Sequence, residues 1–111
     1  MKSFELLSEM VEKANGSQEA KNELKGFDKV FQFNPSDAEP FYVTIKEGNI
    51  QIAKGKSENV AATISATDDL LAKVLSGQAN AVTAFMGGSL KVSGDIFSAQ
   101  KLTSIASKFK R

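Results

Sequence analysis

The stretch Phe41-Tyr42-Val43-Thr44-Ile45-Lys46-Glu47-Gly48-Asn49-Ile50-Gln51-Ile52 decides the fold. Phe41, Val43 and Ile45 fall on one side of an alternating run, Ile50 and Ile52 repeat the pattern, and Glu47-Gly48-Asn49 between them is a short glycine-bearing loop. Successive side chains of a strand point to opposite faces, so the stretch predicts a β-hairpin with one buried face. Upstream, Phe31 and Phe33 alternate with Val30, Gln32 and Asn34 until Asn34-Pro35-Ser36-Asp37 breaks the run. Downstream, Val60, Ala62 and Ile64 alternate with Ala61, Thr63 and Ser65, which brings the expected strands to four by Ala66.

Helical spacing flanks this strand-rich middle. Phe4, Leu7, Met10, Val11 and Ala14 recur at intervals of three and four, with Ser3 to cap the start and Asn15-Gly16 to end the helix at positive φ. A shorter helix runs from Ser17 to about Lys25 and stops at Gly26. After the strands, Thr67-Asp68-Asp69 opens a helix that Gly77 closes, and Asn80 caps a short one through Val82, Phe85 and Met86. Leu90 and Val92 read as a fifth strand and Gly94-Asp95 as a turn. Leu102, Ile105, Ala106 and Phe109 then form the cleanest amphipathic stripe in the chain. This order predicts an α+β fold, a mainly antiparallel sheet with helices covering one face, in a single domain spanning residues 1–111.

Composition closes off much chemistry. The chain has neither cysteine nor histidine, which removes thiolate nucleophiles, imidazole bases, Ser-His-Asp triads and zinc sites of Cys and His. Fourteen basic residues against thirteen acidic ones leave a net charge of +1, so no whole-molecule field draws the chain to nucleic acid. Tyr42 and the phenylalanines lack the basic interleaving of a base-stacking platform. The N-terminal run lacks the unbroken apolar segment of a secretory signal, and no window approaches the roughly 18 apolar residues of a membrane span. A cytoplasmic protein is the expectation.

The glycine motifs reduce to turns. Gly55-Lys56-Ser57 has the ending of a phosphate-binding loop, yet Ile50 stands where that motif needs its first glycine. Gly87-Gly88 follows a helix, where carbonyls point outward and the dipole is negative, so it predicts a C-cap in place of an anion cradle. Asp68 and Asp69 sit in a first helical turn and are explained by capping; neighbours on a helix do not converge on one substrate. Catalysis is not expected, and no cofactor is implied.

Gly77-Gln78-Ala79-Asn80, Ala84-Phe85, Gly88-Ser89-Leu90-Lys91-Val92-Ser93-Gly94-Asp95, and Ala99, Lys101 and Leu102 occur in this order and spacing. Together they resemble the second half of the sterol carrier protein type 2 family, and the earlier strands extend the likeness to nearly the whole chain. The resemblance implies a five-stranded sheet backed by helices, with an apolar tunnel between the layers that takes up fatty acid, acyl-CoA, sterol or phospholipid. It implies carriage without catalysis. The chain has Ala81-Val82 where family members often carry Pro-Gln, which replaces a polar group that could orient a ligand. It also ends Phe109-Lys110-Arg111, which is not the Ser-Lys-Leu type of peroxisomal tripeptide.

On this reading the ligand lies between the strand residues Phe33, Val43, Ile52 and Ile64 and the helical residues Leu71, Val74, Leu75, Val82, Phe85, Met86, Leu102, Ile105 and Phe109. Met86 either adapts its flexible thioether to ligands of different shape or fills a gap in the core. Lys101, Lys108, Lys110 and Arg111 form a basic end that complements the helix C-terminus and offers a transient attraction to anionic membrane surfaces. The competing expectation is an interaction module with a filled core that docks on a partner enzyme.

Overall fold

The computed structural model describes residues 2–108, with side chains from 3 to 105. Among the described residues the elements run α1 (Lys2–Asn15), α2 (Gln18–Leu24), β1 (Lys29–Pro35), β2 (Phe41–Lys46), β3 (Asn49–Lys54), β4 (Ala62–Ala66), α3 (Asp68–Ser76), α4 (Ala81–Met86), β5 (Lys91–Gly94) and α5 (Ile96–Lys108). The strands form one sheet in the order β3-β2-β1-β4-β5. β1 and β4 pair in parallel and the other neighbours are antiparallel. The expected α+β class and mainly antiparallel five-stranded sheet are therefore present.

The register puts the apolar residues on one face. Ile52 faces Val43, Val43 faces Phe31, Phe33 faces both Phe41 and Ile64, and Ile64 faces Val92. Residues directly opposite in a ladder share a face, so these pairs make a continuous apolar surface from one edge strand to the other. α1 covers the β3 end of it and packs against α3, while α5 covers β4 and β5. Phe33 and Phe41 stack with ring centroids 5.1 Å apart, and Phe4 of α1 meets Phe41 edge-on at 5.4 Å. Such aromatic pairs add to the area they bury and fix α1 to the centre of the sheet.

The hairpin closes more tightly than its sequence suggests. Lys46 pairs with Asn49, so the loop is only Glu47-Gly48, with φ of +53° and +80°. Two positive φ values define a type I′ turn, whose twist matches that of the flanking strands. Glu47 is an uncommon residue for that conformation, and its N–H is held by the Asp28 carboxylate at 3.0 Å. Replacing Glu47 by Asn, which tolerates the left-handed region better, is expected to raise stability by about 0.5–1 kcal/mol. Urea unfolding checks this: the midpoint rises with an unchanged slope, and a lower midpoint would contradict the turn assignment.

Two expected helix ends differ. Ser3 lies inside the first turn of α1 and does not cap it; its N–H and hydroxyl donate to Asp68 Oδ1 at the start of α3. A carboxylate from another helix thus satisfies an orphan N–H, which ties α1 to α3. Gly16 is not at positive φ; its N–H bonds back to the Glu12 and Lys13 carbonyls. Asn15 holds the Ile50 backbone through both its amide oxygen and its amide nitrogen, each at 2.9 Å.

On the opposite face of the sheet, buried Gln32 donates to the carbonyls of Phe41 and Gly55 and accepts from Ser57 N–H at 2.9 Å. The Gly55-Lys56-Ser57 loop is pinned to the sheet in this way. No helix among the described residues is long and apolar enough to cross a membrane.

Candidate functional site

The site begins with the cap of α3. Thr67 accepts the Leu70 N–H at 3.1 Å, and Gly77 ends the helix in the left-handed conformation at φ +82°. Gln78 and Ala79 N–H both bond back to the Lys73 carbonyl, which turns the chain away from the sheet. Asn80 then caps α4 by accepting the Thr83 N–H at 3.0 Å. α4 carries no buried residue. At its end Gly87 N–H bonds to Thr83 O, Gly88 N–H to Phe85 O, and Ser89 and Leu90 N–H to Ala84 O. The double glycine therefore closes a helix, as expected, and these N–H groups are spent on helix carbonyls.

The next turn sets α5. Gly94 has φ +90°, and Asp95 N–H bonds to the Ala61 carbonyl at 2.8 Å. Asp95 accepts the Ser98 N–H at 3.0 Å and the Ser98 hydroxyl at 2.7 Å. These bonds, the hydroxyl foremost, hold its carboxyl below the usual carboxylate range. The charged cap sits at the positive end of the α5 dipole.

Between α3, α4, α5 and the β1, β4 and β5 end of the sheet lies a cavity of about 580 Å³. That volume falls within the span of about 300–1,000 Å³ typical of small-molecule sites. Phe33, Ile64 and Val92 of the sheet line it, with Leu90. Leu71, Val74 and Leu75 of α3, and Ala81, Val82 and Phe85 of α4, form two further walls. α5 supplies Ile96, Ala99, Gln100, Thr103 and Ser104, and residues 77–80 complete the rim.

The deep part of this lining is uniform. Phe33, Ile64, Leu71, Val74, Leu75, Leu90 and Ala99 are buried and all apolar. Gln78, Asn80 and Gln100 are exposed, and so are Val82, Phe85 and Ile96, so the mouth mixes neutral amides with apolar side chains. Among the described residues no Lys, Arg, Asp or Glu lines the space. The arrangement can desolvate an apolar chain and meet a neutral polar end with hydrogen bonds; it offers no charged partner to an ion taken inside. Among the described residues no group of three or more acidic side chains could hold a metal ion.

Seven of the thirteen residues expected at the ligand thus meet at one cavity: Phe33, Ile64, Leu71, Val74, Leu75, Val82 and Phe85. Val43 and Ile52 do not line it; they belong to the β2 and β3 end, which α1 fills and where Val43 joins the buried core. Leu102 and Ile105 are buried in that core as well. The most apolar stripe of α5 packs on the protein, and the neighbouring stripe of Ile96, Ala99, Gln100 and Thr103 faces the cavity. Met86 is 81% exposed and neither lines the cavity nor fills the core. Phe109 lies outside the described residues, as do Lys110 and Arg111, and the Lys108 side chain is not among those described. Lys101 places its ammonium 4.5 Å from the Phe27 ring centroid, a cation–π contact.

Sequence reasoning missed Leu90, Val92, the α5 cavity stripe and residues 77–80 as lining. The α5 stripe has the same three-and-four spacing as the core stripe. Its half-polar composition hid it, since periodicity favours the most apolar face.

An α+β domain with a cavity under three helices, its described lining uncharged and apolar at depth, has space suited to an apolar molecule. The chain belongs to the SCP-2 sterol transfer family, whose model matches residues 7–107. It is 36% identical over 63 residues to Sterol carrier protein 2 of Arabidopsis thaliana, covering 57% of this chain and 51% of that protein. The match therefore spans about half the length of this curated relative. Its fold is similar to that of UbiJ-SCP2, a ubiquinone synthesis protein, with a TM-score of 0.75 at 20% identity over 93% of this chain and 90% of that one. It is also similar to Sterol Carrier Protein-2 of Aedes aegypti in complex with palmitate, with a TM-score of 0.67 at 14% identity over 98% and 94% of the two chains.

Proposed function

We propose that this chain is a carrier that holds one lipid, whether fatty acid, acyl-CoA, sterol or phospholipid, in the α3–α4–α5 cavity and releases it chemically unchanged. The observation that carries this reading is the depth of the cavity, where the buried lining is apolar throughout, below a mouth of exposed apolar side chains and neutral amides. Family membership and the palmitate complex of the Aedes relative support it. The open cavity favours a carrier over a filled interaction module.

Burying about a dozen methylenes gains roughly 10 kcal/mol before ordering and association costs, so micromolar binding, near −8 kcal/mol, is expected. Because the described lining is uncharged, the ionised carboxylate of a fatty acid stays at the mouth in water, and chain length governs affinity more than the headgroup does. Titrating a fluorescent fatty acid and an acyl-CoA into delipidated protein tests the reading. Saturable binding of one ligand per chain is the expected result, and no saturable binding by either overturns it. Native mass spectrometry of detergent-free protein identifies the lipid that co-purifies.

A further inference from the structure

Five large apolar side chains are exposed around the cavity mouth. Phe97 is 84% exposed and Met86 81%, with Val82, Phe85 and Ile96 between 38% and 50%. Val82, Phe85 and Ile96 line the cavity itself. Met86 lies one turn on from Val82 along α4, and Phe97 lies one turn before the rim residue Gln100 on α5, so helical spacing sets both beside the mouth. At about 150–250 Å² per large side chain, these exposures leave roughly 450–700 Å² of apolar surface, at the top of the range for a lone soluble domain.

Charge says what covers this surface. The chain is 24% charged, yet the seventeen residues from Val74 to Leu90 include no charged side chain, where average composition gives about four, and Ile96 to Gln100 include none either. The flanking cations are turned elsewhere. Lys73 pairs with Asp69 at 3.1 Å, and Lys101 stands 4.5 Å from the Phe27 ring centroid. Lys91 alternates with Val92 and so leaves the sheet on the face opposite the helices. An anionic surface would select cations around the patch, whereas the centre of a protein interface is depleted of charge and enriched in Phe and Met. A symmetric contact between two copies makes the strictest demand, because near a two-fold axis each residue approaches its own counterpart and any charge would meet its like. The neutral rim of Gln78, Asn80 and Gln100 meets the same condition, since an amide both donates and accepts and can pair with another amide. Apolar centre and amide rim together approach the roughly 800 Å² per partner of a standard interface.

We propose that the mouth face is a self-association surface: two copies of this chain meet about a two-fold axis through α4 and the first turn of α5, and the apolar side chains of each close the other's cavity mouth. The site is complete only in the dimer, because Val82, Phe85 and Ile96 border water in one copy and the apolar side chains of the second copy in two. A held ligand is shut from solvent while the copies are joined and leaves when they part, so its release depends on protein concentration. The inference uses the carrier reading only for this consequence; the dimer itself stands on exposure, area and charge.

Sedimentation equilibrium of the full, delipidated chain tests this. A monomer–dimer equilibrium with half-association at about 1–100 µM is expected. It holds or strengthens at about 1 M salt, because no charge pair carries it. Phe97→Asp and Met86→Lys each weaken association at least about thirty-fold, since a two-fold interface loses every substituted side chain twice. Both side chains are exposed and neither lines the cavity, so the thermal midpoint and fatty-acid binding of the dilute monomer stay as in the parent. A parent chain that stays monomeric at about 500 µM overturns the proposal, as does a dimer that both variants form with parental affinity. So does binding of the monomer to phosphatidylcholine–phosphatidylglycerol vesicles that both variants lose, which would make a lipid surface the occupant. Loss of fatty-acid binding with the dimer intact would sink the carrier reading and leave this one standing.

Discussion

Gly94→Ala is expected to destabilise the protein by about 3–5 kcal/mol, the largest effect of any glycine-to-alanine change in the chain. Gly94 sits at φ +90°, where an L side chain is strained by roughly 1–2 kcal/mol. An added Cβ would also lie 2.5 Å from the Ala61 carbonyl oxygen and 3.1 Å from the Ala62 Cα. Both are backbone atoms of the neighbouring chain segment, so no side chain can swing away. Relief requires β5 to separate from β4, which costs ladder bonds and shifts the start of α5. On a typical reserve of about 5–15 kcal/mol the loss is severe, and thermal unfolding should begin roughly 15 °C lower. Gly88→Ala is the control: its φ is +84°, but nothing lies within 4 Å of the added carbon. It should cost only about 1–2 kcal/mol. Equal losses in the two variants would show that conformation alone, and not the approach of β5 to Ala61, sets the requirement at Gly94.

The second large effect falls on binding. Ala99 is buried on the cavity side of α5, and Thr103 lies one turn further along the same stripe. Phenylalanine at either position projects into the empty space and brings no polar atom that needs a partner. Blocking about four methylenes of an acyl ligand forfeits roughly 3 kcal/mol, more than a hundred-fold in Kd. Ala99→Phe is expected to abolish measurable fatty-acid binding while the midpoint of thermal unfolding holds or rises, because a filled cavity gains packing. Thr103→Phe, half-buried and easier to accommodate, serves where Ala99→Phe perturbs the fold. A folded Thr103→Phe protein with the affinity of the parent would place the ligand outside this cavity.

Much of the fold could be read from local signals because those signals act within a few residues. Ser17, Thr67 and Asn80 each cap the helix that follows through a bond to a backbone N–H three residues on. The hairpin follows from alternation and one glycine, and Gly87-Gly88 ends a helix because each N–H finds a carbonyl in the turn before it. The ordered motifs from Gly77 to Leu102 carried the family, which the match over residues 7–107 shows.

The sequence by itself determined the element order, the apolar face of each strand and the absence of thiol and imidazole chemistry. Tertiary structure decided the rest, since each remaining question concerned partners far apart in the chain. β4 lies parallel to β1 because the chain crosses from one side of β1 to the other after β3. Ser3 finds its acceptor on Asp68, sixty-five residues away. Leu102 and Ile105 fill the core while the half-polar stripe beside them faces the cavity. Met86 is exposed because no described residue covers its side of the short helix, which packs on the core through Ala81 and Ala84. A cavity is the place where packing elements fail to meet, and periodicity, which reports how apolar a face is, carries no record of whether another element arrives to cover it.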